Sequence, residues 1–407
     1  MLLIGDVHIT TRQKDRIINE LNKFIEKYPD EKNIVFLWDY VYHFSYDRNS
    51  LIALYHFFVQ LFEKWKNVYV LAGNHDWIWS GFVFEEAQRA FDIIHGLETK
   101  WKLKFITKSI IENIEWNQIL FLPYSLENYE LWIMNYEWNE GDKLNNFFEE
   151  LKKSENKNEK KSWHLNQYLL NEISKNENLI VIHHYYINNT KFPWQKSKFG
   201  YKDVALSEEF LDMKWIKLIS WHLHQPFVYK NYLCVGSIWS TNSLEINQNK
   251  FFFQFDGRNI VANEVNINPY ILIENNWESV SKRIIEEKIE SILEENKKYL
   301  KNNEWDIEFV ENKMSLKDIS LVIKTSDINY EKIDDYIQES VRNEIKDVRL
   351  KKDMIEMWEL IKNFEISAKN LSESFGDRKW ILKMYLEQKY GKESSKYEKV
   401  LNELKLM

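Results

Sequence analysis

Several short stretches of this chain place carboxylates and imidazoles where a metal ion could be held. Gly5-Asp6-Val7-His8 follows an apolar run, and Asp39 follows another at 33–37. Val68–Asp76 reads VYVLAGNHD: an apolar strand that breaks into Gly73, Asn74, His75 and Asp76. LIVIHH brings His183 and His184 to the end of a further apolar run, and WHLH sets His222 and His224 two residues apart. Side chains alternate along a strand, so Asp6 and His8 share a face, as do His222 and His224. A lone histidine at such a place is ordinarily a packed, hydrogen-bonded side chain. Here six of the chain's 10 histidines fall at strand ends.

Asp6, His8, Asp39, Asn74, His183, His222 and His224 form a mixed nitrogen and oxygen set with no thiolate. Such a set suits Mn²⁺, Fe²⁺ or Zn²⁺. It is too large for one tetrahedral ion and suits two ions sharing a carboxylate. Two ions roughly 3.5–4 Å apart make a nucleophile from water and clamp a phosphoryl group.

The elements that must position these groups alternate. A strand at 2–5 leads to an amphipathic helix at 13–27, with Ile17, Ile18, Leu21, Phe24 and Ile25 on one face. A strand at 33–37, a helix at 49–64 and the strand before Gly73 follow. The β-α-β-α-β order implies parallel strands with right-handed crossovers, which gather Asp6, His8, Asp39, Asn74 and His75 at one sheet edge.

Downstream, 82–95 reads as helix and 108–123 as a hairpin ending in FLPYS. The Asn-, Lys- and Glu-rich stretch 138–178 reads as a solvated helical insertion. Further strands are expected near 179–187, 232–237 and 251–257, and one just before His222. Lys191–Lys202 interleaves lysines with Phe192, Trp194, Phe199 and Tyr201, which reads as a loop or as a contact for a nucleic-acid strand. From about 269 the character changes. A charged helix at 278–300, a strand at 318–325 and helices at 333–345, 352–364, 380–390 and 397–406 suggest an accessory α/β cap with a helical tail. The expected division is a domain at 1–265 and an accessory region at 266–407.

The chain has 407 residues, 44% of them hydrophobic and 15% aromatic, enough for a sizeable core. No apolar run reaches the roughly 18 residues that a membrane span needs. The single cysteine, Cys234, excludes an intrachain disulfide framework and reads as a buried thiol in a reducing cytoplasm. No basic leader precedes the first strand, so the expected location is cytoplasmic. A net charge of −8 does not favour nucleic acid as a partner.

Glycine is scarce at 10 residues and tryptophan abundant at 17, and together they come close to an ordinary glycine content of ~7%. Trp65 and Trp215 stand where a helix ends, Trp116 in a hairpin turn, and Trp38 and Trp221 directly before metal-type residues. Glycine is the natural residue at all five. Translation of UGA codons as Trp, where the organism's code reads Gly, would produce this pattern.

The ordered motifs GDVH, WDYVYH, GNHD, IHHY and WHLH resemble those of the calcineurin-like metallophosphoesterase superfamily over about residues 1–260. The resemblance implies a four-layer α/β/β/α sandwich. It implies one ion on Asp6, His8 and His224, a second on Asn74, His183 and His222, and Asp39 bridging them. His75 would meet the phosphate, with Asp76 orienting it, and His43 would be a second phosphate-contacting histidine. Within the superfamily, FLPYS, His224-Gln225-Pro226, Gly236-Ser237 and the C-terminal region look most like the nuclease subunit of the bacterial SbcCD DNA-repair complex. That likeness implies Mn²⁺-dependent cleavage of DNA phosphodiesters. It also implies an SMC-like ATPase docked on the C-terminal helices, and it leaves a homodimer open. The rival readings are a small-molecule or nucleotide phosphoesterase, and a binding protein whose metal site is blocked by Trp38 and Trp221.

Overall fold

The computed structural model describes residues 1–37, 39–40, 48–78, 81–84, 88, 91–92, 102–124, 157–176, 178–192, 204–240, 245–257, 259–265, 267, 269–274, 280–302, 304–312, 314, 316–325 and 339–352. His43 and Trp38, and the helices expected beyond 352, lie outside them, as do residues 193–202 of the basic and aromatic stretch 191–202.

The opening alternates as its apolar periodicity predicts: β1 Leu2–Ile4, α1 Lys14–Lys27, β2 Asn33–Leu37, α2 Arg48–Glu63 and β3 Asn67–Leu71. Next come β4 Leu103–Ile106, a hairpin of β5 Ile110–Ile114 and β6 Asn117–Leu122, α3 Lys157–Lys175 and β7 Ile180–His183. Then follow β8 Lys217–Ser220, β9 Phe227–Tyr229, β10 Tyr232–Cys234, β11 Lys250–Phe255, β12 Asn259–Val265, α4 Lys282–Tyr299 and β13 Asp306–Val310.

The strands form two large sheets. The first runs β13-β12-β11-β1-β2-β3-β4, with β1 to β4 parallel and β11 antiparallel to β1. The second runs β9-β10-β8-β7-β6-β5, with β6, β7, β8 and β10 parallel. Alternation along each strand sends one set of side chains between the sheets and the other toward helices. Leu3, Val35, Leu37 and Leu71 meet Phe121, Ile182 and Ile219 in the inter-sheet core. Leu2, Ile4, Ile34 and Val68 pack on Ile17, Leu21, Phe57 and Phe58 of α1 and α2. Leu120, Val181 and Leu218 pack on Leu165 and Leu169 of α3. Helix, sheet, sheet and helix make the four-layer α/β/β/α sandwich.

Two sequence expectations change. The described part of 138–178 is not a solvated insertion. Residues 157–175 form α3, which covers the second sheet through Leu165, Tyr168, Leu169 and Ile173, spaced three and four apart. Buried Ser162 and Asn166 on the same helix bond the backbone of Ala205 and Ser207. The first compact unit also extends beyond 265, because β13 pairs with β12 as an edge strand of the first sheet. That unit comprises Met1–Ile273, Ser279–Val322 and Ile337–Arg349. The second comprises Glu274–Glu278, Ile323–Tyr336 and Leu350–Met407, most of it outside the described residues.

Candidate metal centre

The parallel strands of both sheets deliver their C-terminal ends to one edge, and the sheets are drawn together there. Asp6 N–H donates to the Gly236 carbonyl at 3.1 Å, and Ile238 N–H to the Asp6 carbonyl at 2.9 Å. His8 sits at φ 40, a left-handed conformation unusual for a non-glycine residue, which its N–H bond to the Asp39 carbonyl at 3.0 Å helps to hold.

Two clusters result. Asp6, His8 and His224 each offer a donor atom within 4.8 Å of the others, and so do Asp39, His184 and His222. In the first, His8 Nε2 and His224 Nε2 are 3.2 Å apart, with Asp6 Oδ2 at 3.9 and 3.6 Å from them. In the second, His184 Nε2 lies 2.8 Å from His222 Nδ1 and 3.6 Å from Asp39 Oδ2. The clusters adjoin, since Asp39 N–H donates to Asp6 Oδ1 at 3.0 Å. Each cluster draws residues from both sheets.

The donor set fits cations. Asp6 Oδ2 and His222 Nε2 are buried without a hydrogen-bond partner. The Asn74 amide oxygen sits 2.6 Å from His184 Nε2 and 3.2 and 3.3 Å from the Asp39 carboxylate oxygens. An oxygen facing three acceptors is stable with a cation among them; without one the amide turns over and its nitrogen donates to all three. Burial raises the Asp39 carboxyl to about 7, while burial and the charge of Asp39 push Asp6 well above the ordinary range. Burial holds His222 down at about 3, and His184 is also lowered, by burial and by His222. Neutral imidazoles beside carboxylates without a counter-charge are what divalent ions complete.

The clusters differ from the expected set at one position. His184, not His183, joins Asp39 and His222. The reason is strand parity: Ile180 and Ile182 face the inter-sheet core, Val181 faces α3, and His183 follows Val181. His183 is fully buried, stacks on Tyr232 at 5.8 Å, and accepts the Tyr185 N–H on Nδ1 at 3.2 Å. His184, two residues beyond Ile182, turns to the site.

His75 lies on the open side of the clusters, 23% exposed, with Nε2 3.8 Å from Asp39 Oδ2 and its N–H on Asp39 Oδ1 at 2.9 Å. Asp76 acts on it through the backbone. Its carboxylate accepts the Gly73 and Tyr40 N–H groups, each at 2.7 Å, and so fixes the turn that carries His75. Trp221 does not fill the clusters. It is buried in the inter-sheet core, with its ring 4.9 Å from that of His184. A cavity of about 790 Å³ opens at the opposite ends of the strands, beside Trp116, Lys214, Trp215 and Lys217. None of the cluster residues lines it, so the chemistry is assigned to the cluster edge.

The sequence reading missed Glu245, whose Oε1 is 2.9 Å from His224 Nδ1. It lies in a stretch before β11 that carries no local motif.

A model of the calcineurin-like phosphoesterase family matches residues 1–226, more than half of the 407-residue chain. The chain belongs to that family. No curated protein matches it. Family and clusters together support a metal-dependent phosphoesterase, with two groups of residues at this edge that could hold divalent ions. Among the described residues of the phosphoesterase, no helix is long and apolar enough to cross a membrane.

Proposed function

We propose that this phosphoesterase is a dinuclear, Mn²⁺-dependent phosphodiesterase that cleaves DNA. The observation that carries the dinuclear part is the pair of adjoining clusters, Asp6/His8/His224 and Asp39/His184/His222, with Asn74 against the second. Bound ions would supply Lewis-acid polarisation of the phosphoryl group and a nucleophile drawn from water at neutral pH. The chain's own part is orientation and proton transfer. His75, exposed beside Asp39, meets a phosphoryl oxygen and gives the leaving oxygen its proton. Asp76 holds the Gly73–Asp76 turn so that the ring keeps its position.

DNA as substrate rests on the ordered motifs and on the softer likeness of FLPYS, His224-Gln225-Pro226 and Gly236-Ser237 to the SbcCD nuclease subunit. The C-terminal region supplies length for a cap and for docking an SMC-like ATPase. The net charge of −8 favours a second reading, a nucleotide or small-molecule diester as substrate.

The test is hydrolysis of linear duplex DNA, single-stranded DNA and a small chromogenic phosphodiester in Mn²⁺, with Asn74→Ala as control. DNA cleavage lost in the control supports the nuclease. Cleavage of the small diester alone overturns DNA and keeps the phosphodiesterase. No cleavage of any substrate by a protein that binds both ions overturns both.

A further inference from the structure

Behind the first cluster lies a buried ion pair. Glu245 and Lys250 are 5% and 3% exposed, and Lys250 Nζ donates to Glu245 Oε2 at 2.7 Å. Lys250 also donates to Ser237 Oγ at 2.9 Å and to the His224 carbonyl at 3.0 Å. The other Glu245 oxygen is the one on His224 Nδ1, while His224 Nε2 faces Asp6 and His8.

We propose that Glu245 is the positioning residue of His224. Its carboxylate accepts the Nδ1 proton, leaves the lone pair on Nε2, and aims that atom at the ion held with Asp6 and His8. Lys250 keeps Glu245 in place and ties down the backbone of His224 itself. The inference rests on the dinuclear reading.

Its test is metal stoichiometry and affinity by Mn²⁺ calorimetry, with the visible spectrum of the Co²⁺-loaded protein. Wild type, E245Q, E245Q/K250M and H222A are compared. The double variant removes both buried charges, so no lone ion is left in the core where E245Q fails to fold. Expected are two ions in wild type. In the Glu245 variants one of the two weakens by about 10- to 100-fold, with an altered Co²⁺ spectrum. H222A weakens the other. Glu245 variants that bind both ions as wild type does, or that weaken both equally, overturn the positioning role and leave the centre standing. A wild type that binds no ions overturns the centre, and this inference with it.

A second, independent observation concerns Trp65. Its N–H bonds the Phe62 carbonyl at 2.9 Å, and the Lys66 N–H bonds the Leu61 carbonyl at 3.1 Å. That pair of bonds is a Schellman ending of α2, and Trp65 occupies its left-handed position at φ 64. Trp65, Trp116 and Trp215 are three of the four exposed large hydrophobic residues among those described, at 64, 78 and 55%. Trp239 and Trp305 differ: both are buried, with indole N–H groups on the carbonyls of Val7 and Lys230. We infer that position 65 is glycine in the native protein, encoded by UGA. The gene should carry UGA at codon 65 and UGG at 239 and 305. Peptides from the protein in its own cells should be lighter at 65 by the Trp-to-Gly difference. UGG at codon 65, or tryptophan in that peptide, overturns the inference.

Discussion

A Cβ placed on Gly5 would lie 1.8 Å from the carbonyl oxygen of Gly236. This contact is the seam at which the two sheets close beneath the metal centre. Gly236 sits at φ +70, and a Cβ there would meet the His224 carbonyl oxygen at 2.6 Å. Neither position can hold a side chain unless backbone that carries Asp6 or His224 moves. Gly5→Ala therefore destabilises by about 3 kcal/mol or more and weakens the Asp6/His8/His224 ion. Thermal unfolding with and without Mn²⁺ reads both effects. A variant with the wild-type midpoint would show that the seam is not tight.

His183 and His184 separate by function. His184→Ala removes a residue of the second cluster and lowers phosphoesterase activity by about 100-fold, with the fold retained. His183→Leu keeps both ions and most activity, since its ring lies against Tyr232 beneath α3. Any cost of that change falls on stability, on the order of 1–2 kcal/mol. Metal content measured beside the melting curve distinguishes the two. Loss of an ion in His183→Leu would reinstate His183 as the ligand.

Metal affinity depends on pH through the buried carboxylates Asp39 and Asp6. With Asp39 at about 7 and Asp6 also raised well above the ordinary range, the protons that ions displace near neutrality come from these two carboxyls. Affinity falls as pH drops below about 7, by up to tenfold per unit for each proton released. Calorimetry in buffers of different ionisation enthalpy counts those protons. In the metal-free protein, the raised pKa means that the native state holds a proton the unfolded chain has lost. The contribution of Asp39 to stability is thus full below about 4 and is lost as pH rises through about 7. Affinity that stays flat from about pH 6 to 8 would contradict this assignment.

Cys234 is closed to thiol reagents in the native state. It is fully buried, its Sγ donates to the Leu223 carbonyl at 3.1 Å, and burial pushes the thiol up to about 12. Modification by a disulfide reagent at neutral pH proceeds at the rate of unfolding and speeds up in denaturant. A fast reaction with the folded protein would place the thiol elsewhere.

The sequence revealed the metal edge because strand-end residues that do chemistry stand out against apolar runs. Asp6, His8, Asp39, Asn74, His222 and His224 lie at one sheet edge, with Asp39 grouped with His184 and His222 and not set between the clusters. The choice between His183 and His184 was not legible. In LIVIH every residue before the pair is apolar, since β7 is buried on both faces, and period-2 polarity is absent. Helix α3 looked solvated because Lys, Asn and Glu dominate its composition, and Ser162 and Asn166 disguise part of its buried face. Glu245 was invisible because its role depends on His224, which only the folded chain brings to it.

The residues of each cluster are divided between the sheets: Asp6 and His8 face His224, and Asp39 faces His184 and His222. An ion held this way is a fastener as well as a reagent. At a free concentration about 100 times its dissociation constant, each adds about 2.7 kcal/mol to the folded state. The amount of intact protein in a cell would then track the supply of the metal, and chelation would hand it to proteases before any substrate is spared.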